Sequence, residues 1–329
     1  MALPSHDCRR LRAFRLESTL EPVVAAVLPV FGLVASGYLA GRLGLVTQAS
    51  STALNQFVYA FALPAMLFVA VYRGSLDEIL GSGGFIAAVV LATMATAAAG
   101  FALSYFLVGA SPAESTLRAL NASFANTGYL GIPLVTVAYG ERAALPAALA
   151  TVATNIISFA LAIVCLELFV NPQPGGVRRA LSGVARSPLI WPIALAIFLV
   201  FLQIKIPLPV ERFAILLAGA AGPCALFAIG LFVSQLSIRA GAAASWQTTL
   251  LKLVLHPLLM ALLAFWLLPV DPFWAKIAVV CAALPLGATA FVLAQRYKLL
   301  EAETSTGAVV STSASVVTVS LVMAFFATR

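Results

Sequence analysis

Charge is what this 329-residue chain has least of. Only 9% of its residues are Asp, Glu, Lys or Arg, against 62% hydrophobic, and its mean hydropathy is +1.04. A water-soluble domain carries about 25% charged residues to clothe its surface, so a soluble globular fold is excluded. The three aspartates, Asp7, Asp77 and Asp271, all fall in the leading tail or in expected loops, which leaves no paired intramembrane aspartates for proteolysis. There are two histidines and no His-Glu-x-x-His helix. Neither a Gly-x-Ser-x-Gly elbow nor a Gly-x4-Gly-Lys-Ser/Thr phosphate loop is present. An enzyme and an ATP-driven pump are therefore not expected, and neither is a cofactor. The four cysteines, Cys8, Cys165, Cys224 and Cys281, form no Cys-x-x-Cys pair, so no disulfide and no metal site are expected. Three of them lie in apolar runs, where cysteine serves as a small hydrophobe.

What the chain does have is apolar blocks of about 20 residues between short polar breaks, the length that crosses about 30 Å of hydrocarbon. The blocks predict an all-α integral membrane protein with about ten spans, near 22–41, 52–72, 84–108, 114–139, 144–170, 188–204, 208–236, 247–268, 273–297 and 304–327. A polar basic tail, 1–21, precedes them and is expected to be retained. The net charge of +7 sits largely at Arg9, Arg10, Arg12 and Arg15 and singly at span ends. That distribution suits anionic lipid headgroups and argues against a nucleic-acid partner. The Pro-, Gly- and Arg-containing linker 171–187 divides the chain into two halves of five spans, 22–170 and 188–329. The tail and the linker pull the positive-inside rule in opposite directions, so the orientation stays open.

An odd number of spans per half means that equivalent halves would be inverted relative to one another. Weak internal symmetry agrees. Pro64 and Pro223 sit mid-span at matching places in the second and seventh spans, and helix breakers interrupt both the fourth (Phe124 to Pro133) and the ninth (Ala283 to Ala290). Gly128, Gly131 and Pro133 in one, and Leu284, Pro285 and Gly287 in the other, should leave backbone groups without helical partners. Such groups are tolerated at membrane depth where they are buried in protein or line a wet cavity. A half-helix N-terminus there suits a carboxylate. The competing reading is a pair of proline kinks without a ligand.

Asn126, Thr127 and Asn155 are the polar candidates beside these breaks. An asparagine donates and accepts without carrying charge, so it can orient a carboxylate, or it can simply bond a neighbouring helix. Lys252 and His256, four residues apart, share one helical face and are candidates for a proton or anion relay. The plainer readings are a Lys252 that snorkels to the interface and a His256 that caps a carbonyl freed by Pro257. Glu167 reads as an interface residue, and no acidic residue is expected deep in the membrane.

The run Asn126 to Val135 (NTGYLGIPLV) resembles the signature stretch of the auxin efflux carrier family. Ala283 to Ala294 with Tyr297, Ser305-Thr306-Gly307, Ala225 to Phe232 and Pro64 resemble further motifs of that family in the same order. The short linker is similar to prokaryotic members, some described as malonate or malate permeases. The resemblance implies ten helices as two inverted five-helix repeats, with helices 4 and 9 broken where they cross. It also implies a scaffold of spans 1, 2, 6 and 7, an elevator-like moving unit of the remaining spans, and a homodimer in the plasma membrane. Asn126 and Asn155 would then bind a small organic anion, the expected partner besides the bilayer. Where plant members have a proline just before the asparagine this chain has Ala125, so the first break is expected to be the less sharp. A sodium- or proton-coupled symporter of bile-acid-carrier type, and a membrane sensor that moves nothing, are the alternatives.

Overall fold

The computed structural model describes residues 5–170, 178, 182, 185–236 and 242–327, and the expected linker falls largely outside them. Among the described residues all regular structure is helical, apart from one isolated antiparallel bridge between Ala125 and Leu286. Seven helices are long and apolar enough to cross a membrane. They are the membrane part, Val23–Arg42, of α1 (Ser5–Arg42), then α2 (Gln48–Tyr72), α4 (Gly83–Leu107), α7 (Glu141–Phe169), α9 (Leu208–Gln235), α10 (Ser245–Leu267) and α13 (Glu301–Ala327). Their ends agree with the expected spans within four residues. The basic tail does not stand apart from the first span: the helix runs on from Ser5.

Three expected spans look different. The sixth is a 12-residue helix, α8 (Ile190–Phe201). The fourth divides into α5 (Pro112–Ser123) and α6 (Thr127–Tyr139), and the ninth into α11 (Pro272–Ala282) and α12 (Thr289–Tyr297). A short α3 (Leu76–Gly81) bridges α2 and α4.

Local chemistry sets these boundaries. Ser111 and Glu114 form a reciprocal capping box at the start of α5, as Ser75 and Glu78 do for α3. Asp271 accepts from the backbone N–H groups of Phe273 and Trp274 to open α11. Gly140, at φ +81°, turns the chain from α6 into α7 in a conformation that glycine adopts without cost. Wide π-helical turns at Val58–Ala62, Thr127–Gly131 and Leu251–Leu255 lead up to Pro64, Pro133 and Pro257. A proline lacks the N–H that the carbonyl one turn earlier needs and clashes with it, and the wider turn relieves both problems.

Packing sorts the helices into two groups. One comprises α1, α2, α8 and α9, with α1 against α9 the most extensively packed pair. The other comprises α4 to α7 and α10 to α13, and the two meet where α1 packs on α13 and α6, where α9 packs on α6 and where α2 packs on α7. Small residues let α1 and α9 meet backbone to backbone. A Cβ on Gly37 would lie 2.1 Å from the Phe227 carbonyl oxygen, and one on Gly230 would lie 2.0 Å from that of Val34. Large apolar side chains such as Phe106, Leu216 and Trp266 are about three-quarters exposed. In water such a belt would drive aggregation. In a bilayer it is the outer surface, and the protein is an integral multi-pass membrane protein.

Candidate functional site

The two breaks are joined to each other. Asn126 donates its backbone N–H to the Pro285 carbonyl (2.9 Å), and Gly287 donates to the Phe124 carbonyl (3.1 Å), so 124–126 and 285–287 pair as a minimal antiparallel ladder. The first break is therefore complete despite Ala125: helix stops at Ser123 and resumes at Thr127, with Phe124 extended. A proline would end a helix by removing a donor. Here the helix ends without a proline, and it is the next residue's donor, the Asn126 N–H, that crosses to the other break. The second break is longer, 283–288, and Leu286 also donates its N–H to Ser311 Oγ at 3.1 Å.

Packing explains which residues the crossing permits. A Cβ on Gly131 would come 2.7 Å from Leu284 Cδ1, and one on Gly287 would come 2.2 Å from Phe124 Cε1. Leu284 itself is fully buried. Gly128 has more room, its nearest neighbour being Thr151 Cγ2 at 3.4 Å. Pro133 begins the regular part of α6 and faces Gly222 of α9, so α6 meets the other helix group over a small residue.

Asn126, 6% exposed, sits at φ −77°, ψ 56°, outside helical geometry. Its carbonyl accepts from Leu130 and Gly131 (3.2 and 3.1 Å), while its side-chain amide makes no hydrogen bond among the described residues. Beside it, the buried Thr127 Oγ1 also has no partner. It is one of seven buried side-chain polar atoms without a partner among the described residues, and such groups cost free energy in a protein interior. Asn155 is half engaged: its Nδ2 donates to the Thr151 carbonyl at 2.7 Å.

Two cavities flank the crossover. A cavity of about 570 Å³ lies between the helix groups and reaches Ile132 and Pro133, with Arg73, Glu78, Glu141 and Arg142 among its charged lining. A smaller one, about 130 Å³, is lined by Tyr59, Asn155 and Thr289 at the start of α12. Asn126 lines neither.

Lys252 corrects the expectation of snorkelling. It is fully buried, and its Nζ donates to the Ala282 carbonyl at 2.6 Å, at the end of α11. The same Nζ also lies 3.1 Å from His256 Nδ1, and His256 Nε2 is 3.5 Å from Thr93 Oγ1. The wide turn at Leu251–Leu255 carries Lys252, and the pair lies behind the second break rather than in either cavity.

Two ionic links escaped the sequence reading. Arg118 of α5 makes a bidentate pair with Glu303 of α13, both bonds 2.8 Å, with side chains 12% and 7% exposed. A buried carboxylate is thus present one residue outside the expected tenth span, and the signal for it was the unmatched Arg118 inside the fourth. Glu167 is no idle interface residue either. It accepts from Tyr297 Oη (2.9 Å) and lies 3.8 Å from Arg296, tying α7 to α12.

A family of membrane transport proteins matches residues 22–176 and 177–323, which is nearly the whole chain. The chain belongs to the auxin efflux carrier family. It is 34% identical over 304 residues to the "Putative malonate transporter" of Rhizobium meliloti (strain 1021), covering 91% of this chain and 94% of that one. It is 26% identical over 310 residues to the "Uncharacterized transporter YfdV" of Escherichia coli (strain K12), at 91% and 96% coverage. It is 25% identical over 351 residues to "Auxin efflux carrier component 8" of Arabidopsis thaliana, at 87% and 92% coverage. This carrier-family chain is a membrane transporter, and the pairing of its two breaks lies in the stretches that carry the family resemblance.

Proposed function

We propose that this transporter is a secondary carrier of small organic anions, carboxylates such as malonate, malate or auxin-like acids, working in the plasma membrane of a prokaryote. The observation that carries the reading is the paired crossover with the unpartnered Asn126 amide and Thr127 hydroxyl beside the N-terminus of α6. A carboxylate there meets the partial positive charge of a helix N-terminus and two neutral donors, so it can be bound and released without a full counter-charge. Gly128 and Gly131 allow close backbone approach, Pro133 and Pro285 keep the breaks open, Leu284 and Gly287 seal the crossing, and Asn155 supplies a polar group from the small cavity. His256 and Lys252 support the second break and are the candidate relay.

In this reading α5–α6 and α11–α12 each count as one crossing. With α8 they bring the seven long helices to ten, arranged as inverted repeats 22–170 and 188–329. The division of contacts into α1, α2, α8 and α9 against the rest supports a fixed scaffold and a unit that slides along it, with the 570 Å³ cavity as the opening between them. A homodimer is part of the same proposal.

Flux into liposomes containing the purified protein tests this, with labelled malonate, malate and indole acetate, each with and without Na⁺ and a pH gradient. Saturable uptake of at least one is expected. Folded protein that carries none of them overturns the organic-anion reading, and uptake that requires Na⁺ favours the bile-acid-type symporter.

A further inference from the structure

The two half-helices that end at the crossover are not finished alike. At the end of α5 a hydroxyl turns back on its own helix, Ser123 Oγ donating to the Ala119 carbonyl at 2.8 Å. At the end of α11 a lysine side chain arrives from another helix, Lys252 Nζ donating to the Ala282 carbonyl at 2.6 Å. The groups facing that ammonium are His256 from its own helix, Thr93 from α4 through the histidine, and the α11 terminus with Cys281. No carboxylate pairs with Lys252 among the described residues.

A buried ammonium needs compensation, because desolvation of an unpaired charge is expensive. The compensation available here is the carbonyl end of a helix, which carries roughly half a negative charge. Where a membrane helix is broken, its exposed C-terminal carbonyls are the groups that take a coupling Na⁺ or proton. We propose that Lys252 is a tethered cation: its ammonium takes the place at the end of α11 that a bound monovalent cation would take, so the crossover assembles without sodium. The inference rests on the crossover as the working site, but not on which anion is carried. It makes Lys252 a positioning residue, holding the second break in shape through the Ala282 carbonyl.

The test reads stability, so its result stands apart from whether any carboxylate is transported. Purified protein in nanodiscs is melted in NaCl and in choline chloride at matched ionic strength. Wild type is expected to show no saturable stabilisation by Na⁺. Lys252→Ala, which empties the space, is expected to lower Tm by about 5 °C or more in choline, and Na⁺ or methylammonium is expected to restore it saturably. Lys252→Met, which fills the space without charge, is expected to lower Tm with no restoration by any cation. Saturable Na⁺ stabilisation of wild type overturns the proposal, because a cation site would then exist beside the lysine. So does Lys252→Met melting with wild type, or Lys252→Ala responding to no cation. Should the variants not fold, the Na⁺ titration of wild type decides.

Discussion

Replacing Asn126 with alanine separates a binding role from a structural one. The side-chain amide makes no hydrogen bond among the described residues, so its loss leaves no stranded partner there, and the backbone bond to Pro285 survives. The expected stability cost is about 1 kcal/mol, the size of an ordinary substitution, which corresponds to about 2–4 °C in Tm. If the amide donates to a carboxylate, its removal forfeits a hydrogen bond to a charged group, about 1.5–3 kcal/mol. At about 1.4 kcal/mol per factor of ten, that is a 10- to 100-fold rise in the half-saturation concentration. Uptake of malonate, or of whichever panel acid wild type carries best, is measured in liposomes beside a thermal melt of the same preparation. A near-normal melt with crippled uptake is expected. Unchanged half-saturation refutes the site, and a collapsed melt refutes the claim that Asn126 is structurally free.

Three further outcomes follow from the geometry. Gly287→Ala drives a methyl into the buried Phe124 ring, already packed edge-on to Phe159, and is expected to cost about 2–3 kcal/mol and abolish uptake; a variant that melts and transports as wild type refutes the tight crossing. Gly230→Ala sets backbone against backbone between α1 and α9, where no side chain can rotate away, so an equal or larger loss in Tm is expected, with unchanged Tm as the contrary result. Glu303→Gln leaves Arg118 charged and nearly buried, which is expected to cost about 3–5 kcal/mol, while the double variant Glu303→Gln/Arg118→Met recovers part of it; a double-mutant cycle showing no coupling would mean the pair is solvated.

The breaks and their partners differ in how far the sequence revealed them. Gly128, Gly131, Pro133, Pro285 and Gly287 announce themselves, because glycine and proline act on the backbone at their own positions. Arg118 with Glu303 and Glu167 with Tyr297 do not, since each partner lies more than a hundred residues from the other and an end-of-span charge looks the same whether it meets lipid headgroups or a buried counter-ion. Lys252 was misread for the same reason: distance along the helix from its start allows snorkelling, while the side chain turns inward to a carbonyl that only the folded chain brings there.

Composition settled the solvent of this protein, and the apolar blocks placed the seven long helices to within four residues, because hydrocarbon imposes length and apolarity on each crossing independently of its neighbours. That the fourth, sixth and ninth blocks are short or divided was decided by the fold. The helix breakers also located both interruptions. Only the tertiary structure decided that the interruptions meet. The ladder from Asn126 to Pro285 and from Gly287 to Phe124 exists because backbone groups freed at membrane depth must find partners, and a second broken helix is the one neighbour whose backbone is free to supply them.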